Sequence, residues 1–181
     1  MKISIISSST RKGRVSHRIA LMLQNQLTER GVNAEIIDLM HFDMGRFEET
    51  FASKDQPTTQ EKEVYQKLEA ADGFIFVTPE YNGSISSGLK HFIDFYAKKP
   101  FEKKPIGVAT GSTGMMGGTR AAHQLQLSIL ACFAFPIPHM LLSGQMDKTM
   151  SEDGTILDEA YKGKVDFFLN AYVEFAEKLT Q

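Results

Sequence analysis

The sequence predicts an α/β fold: a doubly wound, five-stranded parallel sheet with helices on both faces. Three observations carry this. Short apolar runs alternate with segments of helical period about five times along the 181 residues, and such alternation calls for parallel strands joined by crossover helices. The runs "GFIFVTP" and "KPIGVATG" are continuously apolar, as strands covered on both faces are. The last run, "PIPHMLL", carries two prolines, which a sheet tolerates best at its edge.

The elements follow in order. "KISIIS" is a short β-branched run, read as the first strand. From Val15 the period changes: Val15, Ile19, Met22, Leu23 and Leu27 follow helical spacing, and Gly31 supplies the stop. "NAEIIDL" is the second strand. The mixed stretch "MHFDMGRFEETFASKDQPTTQ" is long for a connection, a property of functional or mobile loops. "TTQEKEVYQKLEAAD" is a helix with Val64, Tyr65, Leu68 and Ala71 on one side. After the strand "GFIFVTP", a helix over "SSGLKHFIDFYAKK" is capped by Ser86 or Ser87 and turns Leu89, Phe92, Ile93 and Tyr96 inward. "KPIGVATG" is the fourth strand, "GGTRAAHQLQLSILACFAF" the next helix and "PIPHMLL" the fifth strand. An amphipathic helix over "LDEAYKGKVDFFLNAYVEFAEKLTQ" completes the series. Five βα units suggest the flavodoxin-like strand order 2-1-3-4-5, in one domain over residues 1–181.

Composition narrows the function classes. Hydrophobic residues make up 42% and charged residues 23% of the chain, ordinary values for a globular protein. A formal net charge of -2 gives no electrostatic case for nucleic acid as a partner, so any anion has to be met by a local site. The single cysteine, Cys132, lies in "ILACFAF" and reads as a small buried hydrophobe. No disulfide can form within the chain, which suits a reducing compartment. No apolar run approaches the roughly 20 residues of a membrane span, and the first apolar run is too short for a signal peptide core. These points together read as a cytoplasmic protein with no membrane partner. The five histidines show no metal-ligand spacing, so no metal is expected. No G-x-S-x-G signature is present either.

In open α/β sheets, ligands bind outside the carboxyl ends of the strands at the switch point. For the order 2-1-3-4-5 that point lies between strands one and three, where "SSSTRKGRVS", "PEYNGSIS" and "GSTGMMGG" become neighbours. The first is either a serine-rich turn with a solvated basic rim or a seat for a phosphate. Its spacing matches neither G-x-x-x-x-G-K-[ST] nor G-x-G-x-x-G, which disfavours a nucleoside triphosphate and a dinucleotide. In the second, Asn82-Gly83 readily takes positive φ; it either aims backbone N–H groups at a flat heteroaromatic ring that Tyr81 shields, or is an ordinary turn with Tyr81 as a half-buried packing residue. The third has four glycines in eight residues, a composition that permits close backbone approach. Met115 and Met116 supply soft apolar cover, or the stretch is a flexible loop with a helix cap at Thr113 or near Gly117. Lys90 and Asp94 are spaced i, i+4 and pair either on the surface or across a subunit contact.

Together these loops resemble the NAD(P)H-dependent FMN reductase family, flavodoxin-like enzymes that include quinone, azo-dye and chromate reductases. The family's first loop reads G-S-x-R-x-x-S-x-N; here "SSTRKGRVS" matches at Ser9 and Arg11. "PEYNGSISSGLKHFIDF" is close to the family's P-E-Y-N-x-S-x-x-x-x-L-K-x-x-I-D-W. The resemblance implies that Ser9, Arg11 and Ser16, with the backbone near Val15, hold the FMN phosphate. It implies that Pro79, Glu80, Tyr81, Asn82 and Gly83 line the isoalloxazine and that Gly111, Ser112 and Thr113 close the other side. Ser8, Arg14 and Ser16 stand where the family has glycine, serine and asparagine. Arg14 either adds charge at the phosphate, reaches a nicotinamide cofactor's phosphate, or points into solvent.

The implied activity is FMN-dependent oxidoreduction, in which NADPH or NADH passes hydride to bound FMN and a quinone, azo compound, flavin or similar small molecule takes the electrons. The flavin carries that chemistry, so no side chain is assigned a catalytic role. Two other readings stand beside it: a flavodoxin-like electron carrier without its own NAD(P)H turnover, and an interaction module that has lost the flavin. The resemblance also implies a homodimer or homotetramer, with Phe95, Tyr96 and the stretch from Met44 to Phe51 contributing across subunits.

Overall fold

The computed structural model describes residues 1–180. Its elements run β1 (Lys2–Ser7), α1 (His17–Glu29), β2 (Asn33–Asp38), α2 (Thr59–Ala70), β3 (Gly73–Pro79), α3 (Ser87–Tyr96), β4 (Pro105–Gly111), α4 (Thr119–Ala131), β5 (Phe135–Ser143), α5 (Met146–Thr149) and α6 (Glu159–Thr180). The strand pairings of this sheet are parallel and the order is β2-β1-β3-β4-β5, as the sequence predicts.

Successive side chains of a strand point to opposite faces, and the core divides accordingly. Phe74, Phe76, Ile106 and Val108 face a cluster supplied by α2, α3 and α4. Ile3, Ile5, Ile75 and Val77 face the opposite cluster, supplied by α1 and α6. Every residue of β3 and β4 is buried, which is why neither shows polar alternation. β5 lies at the sheet edge, with Pro136 and Pro138 beside a register shift opposite Ile106 and Val108. There two missing N–H donors leave the fewest acceptors unpaired.

Register aligns the carboxyl ends. Ser7 pairs with both Asp38 and Val77, while Gly111 pairs with Pro79 and Ser143. The loops after β1, β3 and β4 therefore leave the sheet side by side. The helix starts follow the side-chain chemistry. Ser86 caps α3, its hydroxyl accepting from Leu89 N at 3.2 Å. Thr58 and Glu61 cap α2 reciprocally. Ser16 occupies the cap position of α1 but makes no capping hydrogen bond.

Two expectations change. The stretch from Leu39 onward opens with a 3-10 turn, Leu39–His41, and is then tied to the core. Phe51 N donates to Phe95 O at 2.7 Å, and the Phe51 ring stacks on Tyr65 with centroids 4.4 Å apart. Phe95 and Tyr96, assigned to a subunit contact by resemblance, are buried within their own chain between α2 and this stretch. Tyr96 Oη donates to Glu61 O at 3.0 Å. Apolar rings this large gain more from a closed core than from an exposed face. The single-turn helix α5 carries no sequence signal of its own.

Candidate functional site

The three polar loops enclose one open cavity of about 280 Å³ at the carboxyl ends of β1, β3 and β4. Ten of the twelve residues anticipated from sequence line it: Ser9, Arg11, Val15, Ser16, Pro79, Glu80, Tyr81, Gly111, Ser112 and Thr113. Asn82 and Gly83 do not. Asn82 faces an adjoining groove between α3 and α4, which shares Tyr81 with the cavity. Lys12, Gly13, Arg14 and Met146 complete the lining. Met146 comes from α5, which no pattern announced.

The first loop is built from inside outward. Ser8 N donates to Val77 O at 3.0 Å, extending the sheet by one rung. Ser86 Oγ lies 3.1 Å from the Ser8 carbonyl oxygen and 2.9 Å from the Ser8 hydroxyl, with all these groups buried. That contact accounts for a serine where the family has glycine: the extra hydroxyl finds a partner in the α3 cap. Beyond it, the backbone N–H groups of Thr10, Arg11, Lys12, Gly13, Val15 and Ser16 donate to no acceptor among the described residues. Successive unpaired N–H groups leading into a helix N-terminus attract an anion.

Tyr81 closes over this loop. Its hydroxyl lies 2.8 Å from Ser9 Oγ, and the Arg11 guanidinium sits 5.0 Å from the ring centroid. The turn that carries it has the predicted form. Asn82 and Gly83 take φ of 52° and 78°, and Tyr81 and Ser84 exchange backbone hydrogen bonds at 2.9 and 3.0 Å. Positive φ at both central positions defines a tight two-residue hairpin turn. Glu80 does more than line the cavity: its carboxylate accepts from Arg120 N at 3.1 Å and from the Arg120 guanidinium at 3.2 Å. It thus caps α4, where a negative charge offsets the helix dipole, and ties the second loop to the end of the third.

The third loop is held by close backbone approach. A Cβ at Gly144 would lie 2.5 Å from Met115 O, and one at Gly117 would lie 2.9 Å from the backbone of Leu142 and Ser143. Thr110 Oγ1 also donates to Gly117 O at 2.7 Å. The side chains of Met115 and Met116 stand free, 82% and 73% exposed.

Of the courses open to it from sequence, Arg14 does not take the one into solvent. Its guanidinium forks onto both carboxylate oxygens of Asp38 at the end of β2, and its Nη1 donates to Ser9 O at 2.9 Å. Burial works to raise the Asp38 pKa. The bonds from Arg14 and Met40 N outweigh it, holding the carboxyl below the ordinary range. His17 pairs Nδ1 with Ser7 Oγ at 2.8 Å. Burial, and then the Arg14 charge, push its pKa below the ordinary value. Asp38 was legible in one respect: it ends a strand on the side of the sheet where sites form.

The donor set suits a terminal monophosphate. It offers unpaired N–H groups, the Ser9 and Ser16 hydroxyls and the exposed Arg11, while Asp38 and Glu80 are engaged elsewhere. An FMN phosphate fits it, with the Tyr81 turn and the Gly111–Thr113 segment flanking the remaining space. Sheet order defines a flavodoxin-like protein, with this cavity at its switch point. The family model for NADPH-dependent FMN reductases matches residues 1–147, which include all three loops. The chain belongs to that family, and its class is that of an NAD(P)H-dependent oxidoreductase using FMN.

Relatives agree over nearly the whole length. The chain is 26% identical over 179 residues to the FMN-dependent NADPH-azoreductase of Staphylococcus haemolyticus (strain JCSC1435), covering 97% of this chain and 95% of the relative. It is 27% identical, with the same coverage, to the enzyme so named in Staphylococcus aureus (strain USA300). Among solved structures, the fold matches FerB, a flavoenzyme NAD(P)H:(acceptor) oxidoreductase from Paracoccus denitrificans. That match has a TM-score of 0.81 and 23% identity, over 98% of this chain and 97% of that one. A mutant flavodoxin from Pseudomonas aeruginosa matches at a TM-score of 0.60 and 16% identity, over 95% of this chain and 99% of that one.

Proposed function

We propose that this chain takes hydride from NADPH or NADH and passes electrons to a small planar acceptor: a quinone, an azo compound or a flavin. The observation that carries the reading is the convergence of three loops on one cavity whose first loop holds unpaired N–H groups among the described residues, while the lining carboxylate, Glu80, is paired with Arg120. FMN, when bound, supplies the redox chemistry. The chain's own residues bind and orient it. Ser9, Arg11, Ser16 and the unpaired N–H groups of Thr10, Arg11, Lys12, Gly13, Val15 and Ser16 hold the phosphate. The Asn82 and Gly83 N–H groups, unpaired among the described residues, lie in the turn that joins the cavity to the adjoining groove at Tyr81, where a ring extending past Tyr81 meets donors that favour added negative charge. Tyr81 excludes water above the phosphate, and Gly111, Ser112 and Thr113 close the far side. The names of the azoreductase relatives support the choice of acceptor class.

The test is spectroscopic and kinetic. The purified protein is expected to be yellow, or to become so with added FMN, and to oxidise NADPH or NADH when a quinone or azo dye is supplied. A colourless protein that also fails to bind FMN refutes the reading. Steady NAD(P)H turnover without a partner reductase separates it from an electron carrier, for which a net charge of -2 is in any case a weak docking surface.

Assembly as a homodimer or homotetramer belongs to the same proposal. Exposed Leu127, Leu130 and Phe133, on α4 and just after it, with Phe47 nearby beside α3, support an apolar contact face. Sedimentation at working concentration checks this, and a monomer alone would overturn it.

A further inference from the structure

We infer that Asp38 is a positioning residue for the flavin phosphate, acting through Arg14. The inference rests on the proposed FMN site and adds a residue that lies outside it. Arg14 neighbours Arg11 and Lys12 in sequence, yet those two are exposed while the Arg14 side chain is only 10% exposed and that of Asp38 16%. The guanidinium meets the carboxylate with two bonds, the geometry in which arginine is most directional. The carboxylate is itself fixed, since Asp38 Oδ1 accepts from Met40 N at 3.1 Å. Register with Ser7 fixes Asp38 in turn.

From this anchor Arg14 shapes the loop at two points. Its Nη1 draws in the Ser9 carbonyl at 2.9 Å, and its own N–H closes a turn onto Arg11 O at 3.2 Å. In a trans peptide the C=O and the following N–H point in opposite directions. A Ser9 carbonyl held against Arg14 therefore turns the Thr10 N–H away from it, where it meets no acceptor among the described residues. The charge of Arg14 is already matched by Asp38, which leaves Arg11 and Lys12 as the lining cations available to meet a phosphate. Arg14 thus orients the seat, and Asp38 keeps Arg14 in place.

The experiment compares FMN with riboflavin, which lacks the phosphate, by quenching of flavin fluorescence in wild type, Asp38→Ala, Asp38→Asn, Arg14→Ala and the double variant. Asp38→Ala is expected to weaken FMN about tenfold or more, the scale of one charge-assisted bond, and to leave riboflavin affinity unchanged. The double variant is expected to be no weaker than either single one. The salt dependence of FMN binding is expected to fall in Arg11→Ala and to persist in Arg14→Ala. Tighter FMN binding by Asp38→Ala would overturn the inference, because a released Arg14 would then be serving the phosphate directly. Equal losses for FMN and riboflavin, or no loss, would overturn it as well. Should Asp38→Ala not fold, the isosteric Asp38→Asn carries the same comparison. Failure of the wild type to bind FMN at all would refute the proposed function, a result distinct from failure of the variants.

Discussion

Ser86→Ala offers a quantitative test of how the first loop is attached to α3. Ser86 Oγ accepts from Leu89 N at 3.2 Å and lies 2.9 Å from the hydroxyl of Ser8, which is 1% exposed. Loss of a helix cap costs about 1 kcal/mol. Leaving the buried Ser8 hydroxyl without that partner costs about 1–3 kcal/mol more. The combined loss, about 2–4 kcal/mol, lowers the melting temperature by about 4–16 °C for a chain of this size. Thermal unfolding followed by circular dichroism, on FMN-free protein, is the assay. Ser8→Ala/Ser86→Ala is the control: it removes the stranded hydroxyl along with the cap and is expected to melt above Ser86→Ala alone. A Ser86→Ala loss below about 1 kcal/mol, or a double variant that melts lower still, would show that the Ser8–Ser86 contact does not join the two elements.

Further outcomes concern the flavin, the core and pH. Arg11→Ala is expected to weaken FMN about 10- to 100-fold, the value of one charge-assisted contact, in a fluorescence titration that leaves protein stability unchanged. Tyr172→Phe is expected to raise stability by about 1 kcal/mol, because the buried Tyr172 hydroxyl has no hydrogen-bond partner among the described residues; urea denaturation measures this. Acidification is expected to destabilise the protein in two stages. His17, whose folded pKa is depressed, contributes fully above about 6.5 and loses its contribution as pH falls below that. Asp38, depressed as well, contributes above about 4 and loses its contribution below. Melting temperatures across about pH 4 to 8, with His17→Gln, check the first stage: the variant is expected to show a flatter profile near neutrality.

The fold was legible because its signals are local. Strands β3 and β4 announce themselves by unbroken apolarity, and α3 by Ser86 ahead of Leu89, Phe92, Ile93 and Tyr96. Strand order points to the carboxyl ends of β1 and β3, where the candidate cavity opens. What stayed hidden depends on partners far away in the chain. Nothing around Arg14 names Asp38, 24 positions on, and nothing around Ser8 names Ser86, 78 positions on. Two of the three departures from the family motif, Ser8 and Arg14, are answered by residues outside the first loop. Phe95 and Tyr96 were hard to place for a related reason. An aromatic at the end of a helix serves equally as core or as contact surface until the segment that covers it is known, and here Phe51 covers it. The helix α5 spans four residues, Met146–Thr149, too few for any periodicity to register.

The glycine-locked loop after β4 has a consequence for how this enzyme can change. Its path is set where backbone meets backbone, at Gly117 and Gly144, so its course tolerates almost no substitution. Met115 and Met116, carried on that fixed path, meet almost nothing. Randomising those two positions changes the exposed surface of the loop without altering the frame beneath it. If the proposed acceptor meets this loop, acceptor range can drift, in nature or in a laboratory library, one exposed side chain at a time, while the fold passes unchanged to the next variant.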